Sequence, residues 1–371
     1  PPPLPRRLFS PRSANYLRDS GFVRFLSDLG VELASPFLAA AYPDKVLRRF
    51  VGLRRRVKRI PCGSGSGSGS GSGNGRREYL DYYPPAMKSA NDAKDAKDAK
   101  DDIKTGKRVM YFIHGGAWGS GKSWYYTLIA SYFTTLGYHT FILSYPVHPN
   151  SQWTEQMASV QRGSQKISEI GFGTGSGYKT TIMGHSSGGH IAVSWALRGM
   201  LDVAGGGEFG GLDLDCVVGL SGVYDVGDHW WYEHGRGVEE LSPMGGAFGG
   251  TYEGCVEGSV EDFLYRYIGA RTTNGDTDPV FGLSRKKGVR FLLLTGVEDK
   301  VVPFTNTAIM ARIMKGLFGD ENVAQHFFGK GCRHDTTVTD IMTEGRFDVG
   351  GVVHRFVTGK GKGNGMSKSK L

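Results

Sequence analysis

TTIMGHSSGGH, residues 180–190, is the segment of this 371-residue chain that decides its fold. It begins with β-branched and apolar residues, as a buried strand does, and residues 190–200 continue with a helical pattern. Between the two, Gly184, Ser186 and Gly188 form a Gly-x-Ser-x-Gly turn. So sharp a strand-to-helix turn exposes the serine hydroxyl above a sheet, and the flanking glycines avoid a steric clash. The segment therefore predicts a nucleophilic serine, the alternative being a glycine-rich turn without chemistry.

The alternation of strand and helix continues on both sides of this segment. Residues 78–83 are a candidate first strand, and five further apolar runs resemble strands: Val109–Ile113, Thr140–Ser144, Cys216–Leu220, Phe291–Thr295 and Val323–Phe328. Helix-like stretches lie among them: Ser123–Leu136, Thr154–Ile170, His190–Met200, Val260–Ile268 and Thr305–Leu317. This order predicts an α/β fold with a mostly parallel sheet covered by helices on both faces. The site of such a sheet lies at the C-terminal ends of its strands.

Two polar residues at the ends of later strands complete the predicted site. A serine needs a general base that is oriented by an acid, and the expected chain order here is serine, acid, histidine. Asp299 follows the next-to-last strand and His334 follows the last one, so we predict them as acid and base. Glu298 is the alternative acid. His326 and His354 are alternative bases, although a strand and a helix position favour structural roles for them.

The loop after strand 109–113 supplies candidate donors for an oxyanion. Its sequence is HGGAW, residues 114–118, and such small residues let backbone N–H groups turn toward the serine. The residue after the nucleophile supplies a further N–H group. The predicted oxyanion hole therefore consists of Gly115, Gly116, Ala117 and Ser187.

The same loop also matches a phosphate-binding pattern, GxxxxGK[ST], at residues 116–123. A P-loop nucleotide-binding protein is thus a rival interpretation, with Lys122 as the phosphate ligand. Such a protein also needs an apolar strand that ends in Asp to hold Mg²⁺. Neither strand 216–220 nor strand 291–295 ends in that way. The rival interpretation also leaves Asp299 and His334 without a role.

Together, these motifs resemble those of the α/β-hydrolase carboxylesterases and, in finer detail, of the isoprenylcysteine α-carbonyl methylesterases. The finer resemblance rests on six segments: LDYYP (80–84), SYP (144–146), LSGVYD (220–225), DH (228–229), HGRG (234–237) and HDTT (334–337). It covers roughly residues 77–345. The resemblance implies the α/β-hydrolase fold and carries over Ser186, Asp299 and His334 as the catalytic triad.

The resemblance also implies a substrate, the methyl ester of a prenylated C-terminal cysteine. Hydrolysis would proceed through an acyl-enzyme on Ser186, with neither a metal nor an organic cofactor. Kynurenine formamidases and feruloyl-esterase-like enzymes share the loop at 114–118, so they are alternatives. A hydrolase fold kept as a non-catalytic binding module is a further alternative, which the presence of all three triad residues disfavours.

Residues 224–286 are too long for a simple connection and predict a lid insertion. Asp228, His229 and His234 within it favour a hydrogen-bonded lid over a metal site, so no metal is predicted. Ordinary core packing is the alternative role for the lid's aromatic residues. The residues predicted to line a substrate pocket are Trp118, His185, Trp230 and Trp231.

Positive charge is concentrated at the two ends of the chain. The net charge is +9, yet residues 1–60 hold 13 basic and 4 acidic residues, and the last 17 residues add five more bases. The stretch between the ends is therefore mildly acidic, and the pI of 9.2 does not indicate nucleic-acid binding. The basic helix-like residues 45–59 predict either contact with an anionic membrane surface or packing on the body.

Composition divides the chain into four parts. We expect a basic N-terminal region at 1–62, a Gly/Ser linker at 63–76, the catalytic domain at 77–358 and a flexible basic tail at 359–371. A hydrophobic content of 39% excludes a fully disordered chain. Four scattered cysteines exclude a disulfide scaffold.

The C-terminal tripeptide Ser-Lys-Leu, residues 369–371, predicts a peroxisomal location. The family resemblance instead implies association with endoplasmic reticulum or Golgi membranes. The sequence leaves these alternatives and the oligomeric state open.

Overall fold

The computed structural model describes residues 45–63, 78–86, 107–201, 209–273 and 288–360. Most of the predicted N-terminal region, the Gly/Ser linker after Gly63 and the tail after Lys360 lie outside these residues. The predicted domain boundaries therefore stay predictions.

In the described part of the chain, eight strands form one sheet. They are β1 (Lys58–Pro61), β2 (Tyr79–Tyr83), β3 (Lys107–Ile113), β4 (His139–Ser144), β5 (Tyr178–His185), β6 (Leu214–Leu220), β7 (Arg290–Gly296) and β8 (Val323–Phe328). Their order is β1-β2-β4-β3-β5-β6-β7-β8. The β1–β2 and β2–β4 pairs are antiparallel, and the pairs from β4 to β8 are parallel. The predicted mostly parallel sheet is confirmed.

Helices cover both faces of this sheet because side chains of a buried strand alternate in direction. Val109, Tyr111 and Ile113 of β3 belong to one apolar cluster, and Met110 and Phe112 belong to the other. The helices are α1 (Lys45–Arg56), α2 (Thr127–Thr135), α3 (Trp153–Ile167), α4 (Ser187–Leu201), α5 (Val226–Arg236), α6 (Met244–Ala247), α7 (Tyr252–Gly258), α8 (Val260–Thr273), α9 (Phe304–Phe318), α10 (Thr336–Thr343) and α11 (Val349–Thr358). α3, α4 and α9 pack on the first cluster, whereas α2, α10 and α11 pack on the second.

The N-terminal basic segment differs from its prediction at one end. α1 ends at Arg56, and residues 58–61 form the edge strand β1 instead of continuing the helix. Strand β1 is mostly exposed, so its sequence lacks the alternation of apolar and polar residues from which a strand is predicted. Phe50 and Leu53 of α1 pack against the second cluster, while Leu47 and Val51 remain exposed. The inner side of this helix therefore packs on the body, and contact of its outer side with a membrane surface stays a prediction.

Helices α5 to α8 form an insertion between β6 and β7, inside the predicted lid. α5 begins at Val226, where the Asp225 side chain accepts a hydrogen bond from Asp228 N. It ends at Arg236, and the next residue, Gly237, has a φ of +73°, the left-handed conformation typical of a helix C-terminus. Among the described residues, no helix combines the length and apolar character needed to cross a membrane.

Candidate active site

Ser186 lies at the turn between β5 and α4, with φ at +55°. A non-glycine residue with positive φ is uncommon and is often found where a functional side chain must be held in place. The turn is tight enough to require glycine on both sides, since a Cβ at Gly184 would lie 2.1 Å from Gly188 O. A Cβ at Gly188 would lie 2.3 Å from Ile113 O. The serine hydroxyl is therefore held at the C-terminal end of β5, as the motif predicts.

Asp299 and His334 form a buried hydrogen-bonded pair. Asp299 Oδ2 lies 2.8 Å from His334 Nδ1, although the residues are 35 positions apart. Asp299 Oδ1 accepts hydrogen bonds from Val301 N at 3.0 Å and Val302 N at 2.8 Å. With its carboxylate fixed in this way, Asp299 orients the His334 ring with Nδ1 as donor and Nε2 available.

The Ser186 turn and His334 belong to the same edge of the sheet. Strands β5, β7 and β8 are neighbours or near neighbours that run parallel, so the loops after them meet. His185, next to the serine, donates from Nε2 to the backbone carbonyl of His334 at 3.1 Å. Within the described part of the chain, Ser186 Oγ forms no hydrogen bond, and Ser186 is more exposed than Asp299 or His334. Catalytic hydrogen bonds often shorten only when substrate binds.

The alternative acid and bases lie outside this pair. The carboxylate that contacts His334 belongs to Asp299, while Glu298 is joined to Cys332 O through its backbone N–H. The His326 ring packs at a tilt against the Phe328 ring within β8, with 4.5 Å between the ring centres. His354 hydrogen-bonds the Tyr138 hydroxyl through Nδ1 at 3.0 Å.

The loop after β3 lies directly against the serine. A Cβ at Gly115 would lie 3.0 Å from Ser186 Cβ and 2.8 Å from His185 O, so glycine is required there. Gly116, Ala117 and Trp118 all have positive φ, which turns this backbone sharply. We define residues 114–123 as the oxyanion loop.

Two of the predicted donors, Ser187 N and Ala117 N, have no competing backbone acceptor in the part of the chain that the structure describes. In the described residues, Gly189 N and His190 N donate to Ser186 O, whereas Ser187 N has no such acceptor because it opens α4. Ala117 N likewise donates to no other described residue. These N–H groups are thus available to an oxyanion formed next to Ser186.

Three distant side chains hold the oxyanion loop. The Tyr145 hydroxyl donates to His114 O at 2.6 Å, and the two rings stack at 4.3 Å. Gln156 Nε2 donates to Trp118 O at 2.8 Å. Burial of the His114 ring lowers its pKa to about 4, so this histidine is neutral at physiological pH.

His190 is the third of these side chains, and it joins the oxyanion loop to the insertion. Trp118 Nε1 donates to His190 Nδ1 at 3.3 Å, and His190 Nε2 donates to Gly258 O at 2.8 Å. These partners require the neutral tautomer with the proton on Nε2. Burial lowers its pKa to about 4, consistent with that state.

Sequence reasoning missed Gln156 and His190, and it assigned no role to Tyr145 beyond the SYP motif. Gln156 belongs to a helix with an ordinary amphipathic pattern, so no local signal marks it. His190 directly follows the Gly188-Gly189 pair, a position that could have suggested contact with the loop after β3.

The four residues predicted to line a substrate pocket lie in different surroundings, and their role toward substrate stays a prediction. Trp118 is only 2% exposed and packs edge-on against Phe248, so it belongs to the core and not to an open wall. His185 is 1% exposed, and its ring is bound to His334 O. Trp231 is 55% exposed and contacts Tyr252 on the surface. Trp230 is half-buried and packs on the first apolar cluster.

The insertion packs against two loops of the site. The Tyr232 hydroxyl and Arg236 Nη1 both donate to Lys300 O, next to Asp299, at 2.7 and 2.9 Å. Pro243 packs on Gly119 of the oxyanion loop. His229 and His234 are paired with Glu233 and Glu239, respectively. Within the described residues, no cluster of three or more His, Cys, Asp or Glu side chains is suited to hold a metal ion.

The phosphate-loop match does not have the geometry of a nucleotide site. Lys122 is exposed and extended, and Ser123 opens a short 3₁₀ turn (Ser123–Tyr126) instead of a long helix. The Ser123 hydroxyl donates to the buried carboxylate of Asp81 at 2.8 Å, so it is not available to a metal–phosphate group. The core position of Trp118 within the motif also conflicts with a phosphate cradle.

No protein-family model matches the chain, and no curated protein sequence matches it significantly. Solved structures are similar over most of its length. Esterase B from Lactobacillus rhamnosis is 14% identical, with 89% of this chain and 96% of that chain covered and a TM-score of 0.51. The hyperthermophilic esterase from the archaeon Pyrobaculum calidifontis is 14% identical, with 88% and 93% covered and a TM-score of 0.52. A thermophilic esterase from Thermogutta terrifontis is 15% identical, with 82% and 94% covered and a TM-score of 0.50. The chain therefore has the α/β-hydrolase fold.

Proposed function

We propose that this protein is a serine hydrolase that cleaves carboxylic esters through an acyl-enzyme. The proposal rests on one observation: Ser186, held at positive φ, and the hydrogen-bonded Asp299–His334 pair lie on the same edge of the sheet. The similar structures are esterases, which agrees with the proposal. Fold likeness alone does not fix an activity, so the site carries the argument.

The first half of the reaction forms an ester on Ser186. Ser186 Oγ attacks the carbonyl carbon of the substrate while its proton passes to His334 Nε2. Asp299 stabilises the resulting imidazolium through its hydrogen bond to Nδ1. The carbonyl oxygen becomes an oxyanion that accepts hydrogen bonds from N–H groups of the oxyanion loop and of Ser187. The bond to the alcohol oxygen then breaks, and the alcohol leaves with the proton from His334.

The second half restores the enzyme. Water gives a proton to His334 Nε2 and attacks the acyl carbon, which produces a second oxyanion in the same place. When this intermediate collapses, Ser186 Oγ leaves the acyl carbon and regains its proton from His334. The product is a free carboxylic acid.

We further propose a prenylcysteine methyl ester, or a similar apolar ester, as the substrate. Support comes from the six segments that resemble the isoprenylcysteine methylesterases, two of which have definite structural roles. Asp81 of LDYYP is a buried ion-pair centre, and Asp225 of LSGVYD caps the first helix of the insertion. Released methanol is small, so specificity would reside in the acyl side of the site.

A hydrolysis screen of the wild type and Ser186→Ala tests both the serine-hydrolase mechanism and the proposed ester substrate. The panel contains p-nitrophenyl esters of several chain lengths, a prenylcysteine methyl ester and N-formylkynurenine. We expect ester hydrolysis by the wild type and a loss of at least about 10⁴-fold in Ser186→Ala, since the nucleophile is removed. Labelling by a fluorophosphonate should be lost in the same variant.

Other outcomes of this screen separate a wrong substrate from a wrong mechanism. Preference for N-formylkynurenine would retain the triad and refute the ester substrate. Full activity of Ser186→Ala would refute the serine mechanism itself. A folded wild type that neither hydrolyses any substrate nor reacts with the fluorophosphonate would favour a non-catalytic binding module.

Replacement of the orienting acid tests the assignment within the triad. Asp299→Asn should lower kcat by about 10⁴-fold, because an amide stabilises the wrong tautomer of the histidine and cannot stabilise its positive charge. Glu298→Gln is the matched control, and we expect a change of less than about tenfold there. The reverse pattern in kcat measurements would assign the acid to Glu298.

A further inference from the structure

A cavity of about 760 Å³ lies beside the Gly121–Lys122 turn of the oxyanion loop. Of the described residues that line it, none is a member of the Ser186, Asp299 and His334 set. Three lining residues are cationic and three are aromatic: Arg54, Arg59 and Lys122, and Tyr79, Trp124 and Tyr145. The ester-hydrolysis mechanism uses none of the three cations.

A fully buried carboxylate fixes two of the cations. Asp81 Oδ2 lies 3.3 Å from Arg54 Nη1, and Asp81 Oδ1 lies 3.1 Å from Arg59 Nε. Asp81 also accepts a hydrogen bond from the Ser123 hydroxyl. One carboxylate thus positions two guanidinium groups, each of which keeps further N–H donors. This arrangement leaves one positive charge in excess.

Lys122 adds a second positive charge. Its side chain is exposed, and in the described part of the chain no carboxylate lies within ion-pair distance of its Nζ. Glu78, the acidic residue at the cavity, does not compensate these charges, because Arg162 binds both of its carboxylate oxygens at 2.8 and 2.6 Å. Among the described residues, the cavity wall therefore carries an excess of positive charge.

Aromatic groups complete the wall. The Arg59 guanidinium lies 3.9 Å above the Tyr79 ring, and Trp124 is half-buried. Tyr145 is fixed by its bond to His114 O. The volume is in the range of small-molecule pockets, which combine apolar walls with a few convergent polar groups.

We propose that this cavity binds a small organic anion. Arg54, Arg59 and Lys122 hold its phosphate, sulfate or carboxylate group, and Tyr79 and Trp124 pack against its aromatic or apolar body. Fork-shaped guanidinium groups suit such planar or tetrahedral oxyanions. Lys122, the lysine of the phosphate-loop pattern, thus binds an anion, although the fold is not that of a P-loop nucleotide-binding protein.

Titration calorimetry with phenyl phosphate as the probe tests this proposal. We expect saturable binding of phenyl phosphate, weaker binding of inorganic phosphate, and none of benzyl alcohol, which has the ring without the charge. Lys122→Ala should weaken phenyl phosphate binding by about tenfold, and Lys122→Arg should restore most of it. Added sodium chloride should weaken binding in the wild type.

Matched variants locate the binding site. Lys315→Ala removes one positive charge from α9, which packs on the first apolar cluster and so on the other face of the sheet from α1, and it should leave the affinity unchanged. Trp124→Phe should abolish the fluorescence quenching that phenyl phosphate causes in the wild type. Ser186→Ala should bind phenyl phosphate as the wild type does.

Two results would overturn the proposal. One is the absence of saturable phenyl phosphate binding by folded wild-type protein at millimolar concentration. The other is binding that Ser186→Ala alters and Lys122→Ala does not, which would place the probe at the hydrolytic site. Neither result bears on the Ser186 chemistry, so this proposal and the proposed function fail independently.

Discussion

The loops that follow β5 and β3 end neighbouring strands of one sheet edge, yet they are held in place in different ways. The turn at Ser186 is fixed mainly by backbone hydrogen bonds: Ser186 N donates to Leu220 O of β6, and Gly189 N donates to Ser186 O. The oxyanion loop instead depends on side chains from distant segments, among them Gln156 and His190. The position of the nucleophile is therefore set by backbone contacts within its turn and with the adjoining strands, whereas the position of the oxyanion donors depends on side chains from distant helices.

Gly188 is where the two loops touch, and its replacement should have the largest effect on both. A Cβ there would lie 2.3 Å from Ile113 O and 2.4 Å from His114 O, and neither backbone atom can move without displacing the loop. We expect Gly188→Ala to destabilise the fold by about 3 kcal/mol, the cost of overpacking. Ester hydrolysis should fall by at least about 100-fold, because the donors shift relative to the serine. Urea unfolding and kcat measurements check the two expectations.

Gly189→Ala is the matched control for this change. A Cβ at Gly189 would lie 3.1 Å from Gly222 Cα and 3.2 Å from Gly184 O, which small shifts can accommodate. Stability and kcat should stay close to wild type. Equal losses in the two variants would mean that any added methyl group disrupts α4, and that contact between the loops is not the cause.

The same difference explains how much of the site could be predicted from the sequence. The Ser186 turn was predictable because Gly-x-Ser-x-Gly after an apolar run specifies a local backbone conformation. Asp299 and His334 were predictable as a pair because parallel strands bring their C-terminal loops together. The sheet followed from the alternation of apolar runs and amphipathic helices.

The surroundings of the oxyanion loop could not be predicted in the same way. Trp118 was predicted to line a pocket and is buried, because Phe248 and His190 arrive from segments far along the chain. Nothing local distinguishes an aromatic residue that faces substrate from one that packs under an insertion. The edge strand β1 was missed for a related reason, since its stability comes from pairing with β2 and not from its own pattern.

Buried neutral histidines support the oxyanion loop, so acid should weaken it. Burial lowers the pKa of His114 and of His190 from 6.5 to about 4. Between these values the unfolded chain binds protons that the folded chain does not, so stability falls as pH falls from about 6.5 toward about 4. Each histidine contributes up to about 3 kcal/mol of this loss. Urea unfolding near pH 7 and near pH 5 measures the part of this loss that falls in that interval, about 2 kcal/mol per histidine.

His190→Gln isolates one of the two contributions. An amide can accept from Trp118 Nε1 and donate to Gly258 O, but it does not titrate. The variant should therefore take up fewer protons on unfolding, by up to one, so its free energy of unfolding should depend less steeply on pH. An unchanged pH dependence would show that His190 is not the titrating group.

Gln156→Leu should have the smallest effect and the most specific one. Leucine removes the donor to Trp118 O, although His148 N still donates to that carbonyl at 2.8 Å. Stability should change by only about 1 kcal/mol, because the buried Gln156 Oε1, which has no partner among the described residues, is removed as well. The oxyanion donors lose one support, so kcat for an ester should fall by about tenfold with little change in KM. Gln165→Leu, on an exposed position of the same helix, is the control and should retain wild-type kinetics. A wild-type kcat in Gln156→Leu would mean that the backbone holds the oxyanion loop as it holds the serine turn, and the contrast between the two loops would then be wrong.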